Sequence, residues 1–467
     1  MEHPDYADIQ GNILRGYRRH LVRHLMLEVT DAKAARRFLA LAADGGGDGV
    51  PAITPDEDWG EGKPPSCFNI GITCAGLRAL GVGQNHIATF PTEFVEGMTK
   101  RAAKLGDTGT SAPEHWPAPF DDPDRLHIVA SIYADVENEI AKVHAQVEKA
   151  FTVLGQRDGA GLGEDKVFFG YTDNISQPRF RWVKDPSMDG VDEPIDPLGT
   201  ILLGYPTRME DMRFTVPSPQ ALGLNGSFNA FRVLSQDVPA YEDFLTHAAE
   251  VIDAHPDGQR LLPKGGETKV GKGLTRRQAL REIVAAQMCG RWRNGVPYQS
   301  SPDTMEPVPA VNRTNFDYKE FPRCPAGAHM RRANPRGGAI VQRIASYTRR
   351  LVRRGMPYGP KWDPDDPETR NAERGLLGNF IGANPGAQFE AVMCDWINLG
   401  LQNPVITGTN DPLLGANDPV TNGFDVVLAD GSAITVPQLP RLVHVRGGAY
   451  TFLPSLPAIR YLAGLGA

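Results

Sequence analysis

The sequence of 467 residues has few cysteines, no long apolar run and no excess of positive charge. Its five cysteines are scattered and form no CxxC pair, which argues against a zinc knuckle or a thioredoxin-type site. No apolar run approaches the roughly 20 residues that span a bilayer. The formal net charge of −7 disfavours nucleic acid or an anionic membrane as the main partner, because both attract a basic face.

The N-terminal segment has no sign of a secretory signal. No apolar core followed by a small-residue cleavage site occurs there, in MEHPDYADIQGNILRGYRRHLVRHLMLEVT. We therefore expect a soluble, cytoplasmic protein with reduced and mostly buried thiols. The sequence leaves open whether the chain forms a homo-oligomer.

Glycine and proline are abundant, with 50 and 39 residues, which indicates long irregular connections. A chain of this length exceeds the usual size of one domain, so two large domains or three small ones are expected.

The first half of the chain has the order of a ferredoxin-like domain, in which two helices connect four antiparallel strands. We expect this domain to cover residues 1–205. The segments behind this prediction are strands at 20–29, 67–72 and 126–134, and helices at 32–43, capped by Asp31, and at 135–151.

The second half again combines predicted strands with helices, which predicts another ferredoxin-like domain over residues 206–467. The fold class is therefore α+β, with each antiparallel sheet packed against helices. The supporting segments are a strand at 227–234, helices at 238–255 and 275–292, a hairpin at 442–453 with a Gly-Gly turn, and a last helix after Pro454.

One stretch, CPAGAHMRRANPR at 324–336, places His329 directly before a cationic run that ends at Arg336. A haem b site needs a neutral imidazole for iron and cations for two propionates, and one such segment supplies both. The alternative is a basic loop with an incidental histidine.

Two further stretches are ambiguous on their own. In GYTDNISQPRF, Asp173 follows a predicted strand at 166–171, and such an acid often only caps a turn. The stretch 343–359, RIASYTRRLVRRGMPYG, has five arginines on a predicted helix, which is typical of a solvated face.

These stretches occur together and in an order that resembles the dye-decolourising peroxidase family. CPAGAHMRRANPR resembles the family's proximal-histidine segment, GYTDNISQPRF its GxxDG motif, and RRGMPYG the segment with its distal arginine. The resemblance covers essentially the whole chain. The remaining matching segments are DIQGNILRGY, GITCAGLRALGV, CGRWRNGVP, QFEAVMCDW and GGAYTFLPSLPA.

The resemblance implies one haem b per chain, held mainly by the C-terminal domain. His329 would bind the iron and Arg336 a propionate, while Asp173 and Arg353 would lie on the peroxide side. The family's proximal histidine is polarised by a carboxylate, for which Asp411 is the best match and Glu390 a weaker one.

Two positions depart from the family pattern. Asn174 replaces the glycine that usually follows the distal aspartate, although asparagine tolerates the positive φ that such a turn requires. The distal pocket of the family holds a bulky aliphatic residue and a phenylalanine. In this sequence the phenylalanine is Phe380, whereas Gly378 replaces the bulky aliphatic residue. We therefore expect a roomier or wetter pocket.

The implied function is the oxidation of phenols or dyes by hydrogen peroxide, one electron at a time. Bulky dyes would donate electrons through a surface aromatic, with Tyr358 and Trp396 as candidates. One alternative is a haem-handling protein with incidental peroxidase activity, which Asn174 and Gly378 leave open. Another is a haem-free scaffold in which His329 is a core residue.

Overall fold

The computed structural model of the protein describes residues 4–57, 59, 62–181, 183, 194–209, 212–309, 311–319, 323–338 and 347–466. Among these residues the strands are β1 (Leu21–Glu28), β2 (Ser66–Ile72), β3 (Ile128–Ala134), β4 (Thr152–Ala160), β5 (Arg179–Phe180), β6 (Ile195–Asp196), β7 (Ser227–Gln236), β8 (Val352–Tyr358), β9 (Gly375–Gly382), β10 (Gly423–Val427), β11 (Ala433–Pro437) and β12 (Val443–Leu453).

The α-helices of the same residues are α1 (Gly11–Leu14), α2 (Ala32–Ala43), α3 (Cys74–Ala79), α4 (Gln84–Ile87), α5 (Thr92–Glu96), α6 (Ala102–Leu105), α7 (Glu137–Val147), α8 (Gln220–Gly223), α9 (Val238–Ala254), α10 (Gly258–Leu261), α11 (Glu267–Val270), α12 (Arg276–Cys289), α13 (Val311–Thr314), α14 (His329–Ala333), α15 (Pro367–Arg370) and α16 (Leu456–Ala463). Two π-helical segments, Pro385–Glu390 and Val392–Asn398, follow β9. Within the described ranges, no helix is long and apolar enough to cross a membrane.

One eight-stranded antiparallel sheet organises the molecule, in the order β4-β1-β3-β2-β12-β7-β9-β8. Its two halves, β4-β1-β3-β2 and β12-β7-β9-β8, each have the strand order of a ferredoxin-like unit. They join where Phe452 of β12 lies opposite Ile72 of β2. This confirms the predicted α+β class with two ferredoxin-like units, whereas the boundary near residue 205 stays a prediction.

The predicted helices form with the caps that the sequence indicates. Asp31 accepts hydrogen bonds from the backbone N–H groups of Lys33 and Ala34 at the start of α2. Thr275 and Gln278 form a reciprocal capping box at the start of α12. Each cap satisfies N–H groups that have no partner inside the helix.

A buried ion pair ties the two halves together. Both side chains are 2% exposed, and the Arg232 guanidinium on β7 donates to both oxygens of Asp107 over 2.7 and 2.6 Å.

We expect Asp107→Asn to destabilise the protein by about 3–5 kcal/mol, because it leaves a buried cation without its counter-charge. Urea denaturation measures the free energy of unfolding. The exposed pair Arg460–Asp44 serves as the control, since Asp44→Asn is expected to cost at most about 1 kcal/mol.

The predicted Gly-Gly hairpin at 442–453 is wrong. These residues form the single strand β12, whose pairing with β7 shifts register between Val445 and Gly447. Gly447 and Gly448 do not form a turn; they allow neighbouring side chains to pack closely against the strand. A Cβ at Gly447 would lie 2.2 Å from the ring of Phe120, and one at Gly448 would lie 2.4 Å from Met98 Sδ.

Two other predicted elements also differ. The expected strand at 166–171 is a turn, in which Gly170 has a φ of +85° and Phe169 and Tyr171 are buried as packing residues. The predicted helix at 343–359 is replaced over Val352–Tyr358 by edge strand β8, where Pro357 is tolerated. Residues 339–346 of that prediction, including Arg343, lie outside the described residues.

Candidate active site

The proximal part of the site is built around His329, the first residue of α14. Its Nδ1 lies 3.0 Å from Oδ2 of Asp411, which is completely buried. The other oxygen of Asp411 accepts hydrogen bonds from the backbone N–H groups of Leu413 and Leu414 over 2.9 and 2.8 Å. Asp411 is therefore held in place, and it orients the imidazole so that Nε2 is the nitrogen available to a ligand.

The two groups shift each other's pKa. Burial lowers the pKa of His329, but the Asp411 carboxylate outweighs it and raises that pKa above its ordinary value. Burial raises the pKa of Asp411, but His329, Arg332 and the Leu414 N–H together lower it below the usual range. Asp411 is thus an anion in the folded protein, which makes the imidazole more electron-rich.

Arg332 is a site residue that sequence reasoning missed. It is 2% exposed, and its guanidinium donates to the carbonyl oxygens of Gly327 and Thr409 over 3.0 and 2.9 Å. It therefore links the start of α14 to the loop that carries Asp411. The available signal was its position three residues after His329, on the same helix.

A cavity of about 350 Å³ opens beside His329, a volume within the usual range for sites that hold a small organic molecule. About a third of the His329 side chain, 31%, remains exposed. The cavity lies between α14, the second π-helical segment and the β7-β9-β8 part of the sheet. Its apolar wall near the histidine consists of Val392, Met393, Ile397, Leu413 and Leu414.

Asp173 and Arg353 line the same cavity as His329, so the structure brings the three predicted residues together. The positive charge of Arg353 partly opposes the rise in the pKa of His329 that Asp411 causes. Arg353 donates through Nη2 to the Ser176 carbonyl over 2.7 Å, directly beside the loop that carries Asp173.

Gln177 aligns the Asp173 loop with β8 and was also missed from the sequence. Its Nε2 donates to the Arg353 carbonyl over 3.0 Å, and its Oε1 accepts from the Arg353 N–H at 3.1 Å. The side-chain amide therefore occupies the place of a neighbouring strand at this residue. This contact sets the loop against the strand that presents Arg353.

The turn around Asp173 tolerates Asn174 as expected. Asn174 has a φ of +57°, in the left-handed region that glycine usually occupies. Its Nδ2 donates to Oδ1 of Asp165 over 3.2 Å, and the Asp173 N–H donates to the Asp165 carbonyl over 2.7 Å. The asparagine amide thus braces the turn.

The wall formed by β8 and β9 contains two facing glycines, Gly355 and Gly378, and both line the cavity. The expected extra space at Gly378 is partly taken by Phe380, because a Cβ at residue 378 would lie 2.6 Å from the Phe380 ring. Phe380 itself lines the cavity and packs on Phe389 at 5.4 Å between ring centroids. The pocket is therefore reshaped at this point rather than simply enlarged.

Cations surround the cavity. Arg336 is 2% exposed and its guanidinium lies 4.5 Å from the centroid of the Phe316 ring. Arg349 and Arg350 pair with Asp395 and Asp196 over 2.9 and 2.8 Å. The arginines that line the cavity are Arg291, Arg336, Arg349, Arg350 and Arg353.

Two predicted residues lie elsewhere. Glu390 does not contact His329; it accepts from Arg101 over 3.0 and 2.6 Å and from the Tyr450 hydroxyl over 3.0 Å. Trp396 is not a surface aromatic, because it is 1% exposed, with the Arg349 guanidinium 4.8 Å from its ring centroid. Both positions follow from the π-helical segments, which direct the side chains of Glu390 and Trp396 towards the protein interior.

Comparisons with known proteins match this chain to dye-decolourising peroxidases. A family model described as the DyP dimeric alpha+beta barrel domain matches residues 8–157. A dye-decolorizing peroxidase of Mycena epipterygia is 28% identical, over 98% of this chain and 87% of the relative. The multifunctional dye peroxidase DyP2 of Amycolatopsis sp. is also 28% identical, over 97% of this chain and 95% of the relative.

A solved structure of a DyP superposes with a TM-score of 0.79 at 25% identity, covering 99% of both chains. A dye-decolorizing peroxidase in complex with 2,6-dimethoxyphenol gives a TM-score of 0.77 at 25% identity, over 99% of this chain and 100% of that one. These findings support the dye-decolourising peroxidase family for this chain. The same findings support a peroxidase enzyme, which favours the first of the three functions that the sequence left open.

Proposed function

We propose that this dye-decolourising peroxidase binds one haem b in the cavity and uses hydrogen peroxide to oxidise phenolic or dye-like reductants, one electron at a time. The observation that carries the proposal is the placement of the His329–Asp411 pair, Asp173 and Arg353 around one cavity. The similar peroxidase in complex with 2,6-dimethoxyphenol supports the class of reductant.

The residues of the cavity fit a haem. His329 offers Nε2 as a ligand, since Asp411 occupies Nδ1. Apolar side chains suit the macrocycle, and Arg336 supplies a cation for a propionate. When bound, the haem supplies the electrons that reduce peroxide and stores the resulting oxidising power.

Asp173 and Arg353 have different roles in the reaction with peroxide. Asp173 takes the proton from one peroxide oxygen and delivers it to the other, which leaves as water. Arg353 is permanently cationic and stabilises the negative charge that grows on the departing oxygen. Because Ser176 and Gln177 hold Arg353 beside the Asp173 loop, the guanidinium is positioned before peroxide arrives.

Two measurements on the purified, haem-loaded protein test the proposal. A Soret band shows haem binding, and steady-state turnover of a phenol and a dye with peroxide shows catalysis. A haem-handling protein would give the Soret band with only the slow turnover of free haem. That result would overturn the enzymatic role.

The Asp411→Asn variant is expected to weaken haem binding or activity by about 10–100-fold, the usual cost of losing a hydrogen-bonded partner of a metal ligand. Asparagine keeps the shape but carries no charge, so the His329 imidazole becomes less electron-rich. The reduction potential of the bound iron should rise, which spectroelectrochemistry measures. An unchanged potential would contradict the role of Asp411.

Dye oxidation separates the two aromatic candidates. Tyr358 is only half-buried, so we expect Tyr358→Phe to lower turnover of a bulky dye while peroxide reacts at the wild-type rate. Trp396→Phe is expected to leave dye turnover unchanged, because Trp396 is buried and the Arg349 cation makes its ring harder to oxidise. Parallel stopped-flow and steady-state assays measure both steps.

If Tyr358→Phe oxidised a bulky dye as fast as the wild type, Tyr358 would be a packing residue. Loss of dye turnover in Trp396→Phe alone would instead place the electron route through the interior.

A further inference from the structure

Arg332, on α14, is a buried cation that pairs with no carboxylate within the described ranges. It is 2% exposed. Its Nε donates to the Gly327 carbonyl over 3.0 Å, its Nη1 to the carbonyls of Trp396 and Thr409 over 3.3 and 2.9 Å, and its Nη2 to the Thr409 hydroxyl over 2.5 Å. All of these acceptors are uncharged. Because a charge without a counter-charge is costly to bury, its presence at this place indicates a role for the charge itself.

The loop between the second π-helical segment and Asp411 is shaped around this guanidinium. Gly400 has a φ of +62°, and a Cβ there would lie 3.2 Å from Nη1 of Arg332 and 2.1 Å from the Ile406 carbonyl oxygen. Thr409, which Arg332 contacts twice, lies two residues before Asp411. The charge of Arg332 is therefore held at a fixed place beside the chain segment that carries Asp411.

The carboxylate of Asp411 contacts His329 but forms no ion pair with a lysine or an arginine in the described part of the chain. Glu390, an equally buried carboxylate, pairs with both Arg101 and Lys104 over 2.6 and 3.2 Å. A cation in direct contact would form a strong charge-assisted hydrogen bond and compete with the imidazole for the carboxylate. The charge of Asp411 thus remains directed at His329.

Arg332 nevertheless acts on Asp411 from a distance. Burial lowers the pKa of Arg332 to about 10, and the charge of Asp411 opposes this fall, so Arg332 remains a cation at neutral pH. Burial raises the pKa of Asp411, whereas His329 and Arg332 lower it. The imidazole therefore faces an anion whose charge a nearby fixed cation partly offsets.

We propose that Arg332 is a positioning residue whose charge limits how strongly Asp411 polarises His329, and thereby raises the reduction potential of iron bound to that histidine. An anion behind the imidazole stabilises ferric iron, and a fixed cation beside the anion weakens this effect. A higher potential makes the oxidised enzyme a stronger oxidant of phenols and dyes. The inference rests on the proposed function, because it requires iron on His329.

The competing explanation is that Arg332 only braces the loop through its hydrogen bonds. Arg332→Lys keeps the charge but loses most of these bonds, whereas Arg332→Gln and Arg332→Met remove the charge and differ in shape. Thr409→Val removes the hydroxyl that accepts from Nη2 and leaves the charge in place. Arg331→Met is the matched control, because it removes a cation of the same helix that lies 5.0 Å from the centroid of the Tyr318 ring.

Two measurements on the haem-loaded proteins report the electron density on the imidazole. Spectroelectrochemistry gives the reduction potential of the iron. Resonance Raman spectroscopy of the ferrous form gives the iron–histidine stretching frequency, which rises as the imidazole becomes more electron-rich. Circular dichroism shows which variants are folded.

We expect the neutral variants Arg332→Gln and Arg332→Met to lower the potential and raise the stretching frequency. The ratio of ferric to ferrous iron at a fixed potential should increase about tenfold, which corresponds to about 59 mV for a one-electron couple. Arg332→Lys and Thr409→Val should stay close to the wild type in both measurements. Arg331→Met should change the potential by less than half as much as the neutral variants.

The Asp411→Asn background tests whether Arg332 acts through Asp411. In that background Arg332→Gln should shift the potential much less than in the wild type, because the charge that Arg332 offsets is absent. An equal shift in both backgrounds would show that Arg332 acts on the iron directly, and the route through Asp411 would be wrong.

A wild-type potential in the neutral variants would overturn the proposal. So would an equal shift in Arg332→Lys, which would make Arg332 a brace, or a failure of both neutral variants to fold beside a folded Arg332→Lys, which would assign the charge to stability. A wild-type protein without a Soret band would refute the proposed haem site itself, and the two failures are therefore distinguishable.

Discussion

Arg353→Leu and Asp173→Ala are each expected to slow the reaction with peroxide by about 10²–10⁴-fold, the usual loss when an oxyanion stabiliser or a proton shuttle is removed. Both side chains line the cavity that His329 faces. Leucine cannot stabilise the charge on the departing oxygen, and alanine cannot carry the proton. Haem content should remain at the wild-type level, because neither residue serves as a ligand to the iron.

Stopped-flow absorbance after mixing with peroxide measures this step directly. Arg354→Leu is the matched control, since Arg354 is the next residue of β8 and projects to the opposite face, where its Nε donates to the Asn12 carbonyl over 3.0 Å. The control should react at the wild-type rate. If Arg353→Leu and Asp173→Ala both did the same, the assignment of the peroxide side would be wrong.

His329→Ala is expected to abolish haem retention or weaken it grossly, because the cavity then offers no imidazole to the iron. Asp411 would also lose its partner while remaining buried. The Soret absorbance after desalting measures retention. Replacement of the exposed His115 by alanine controls for the loss of any histidine.

A folding defect is separated from a missing ligand in two ways. Far-ultraviolet circular dichroism reports whether His329→Ala keeps its secondary structure. Added imidazole should restore haem binding in the folded variant, because it fits the space that the side chain vacated and can donate the same N–H hydrogen bond to Asp411. Full Soret absorbance in His329→Ala without added imidazole would show that another residue holds the iron.

The ferredoxin-like order of the first sheet half could be predicted from the sequence, since it depends on local patterns. Alternating and continuous apolar runs mark β1, β2 and β3, and Asp31 and Thr275 mark helix starts. These signals lie within a few residues of the element they specify. The resemblance to a family added the residues that the structure places around the cavity.

Other features depend on contacts between distant parts of the chain and were not predictable locally. The Gly447–Gly448 pair resembles a hairpin turn, and only the packing of Phe120 and Met98 against it shows why glycine is required inside a strand. The arginines before Tyr358 suggest a solvated helix, yet pairing with β9 makes that segment a strand. Tertiary pairing overrides local propensity in both cases.

The supporting residues of the site were missed for the same reason. Arg332 bonds to residue 409, 77 positions away, and Gln177 bonds to residue 353, 176 positions away. Nothing next to either residue in the sequence indicates its partner.

The hydrogen bonds from Gln177 to Arg353 also matter for the behaviour of the protein in solution. β8 is an outer strand of the sheet, and such strands expose N–H and C=O groups that can pair with another chain. Gln177 occupies both outward backbone groups of Arg353, and Pro357 has no N–H to offer. The amide that aligns the peroxide side of the site therefore also fills a hydrogen-bonding position at which another chain could pair with β8.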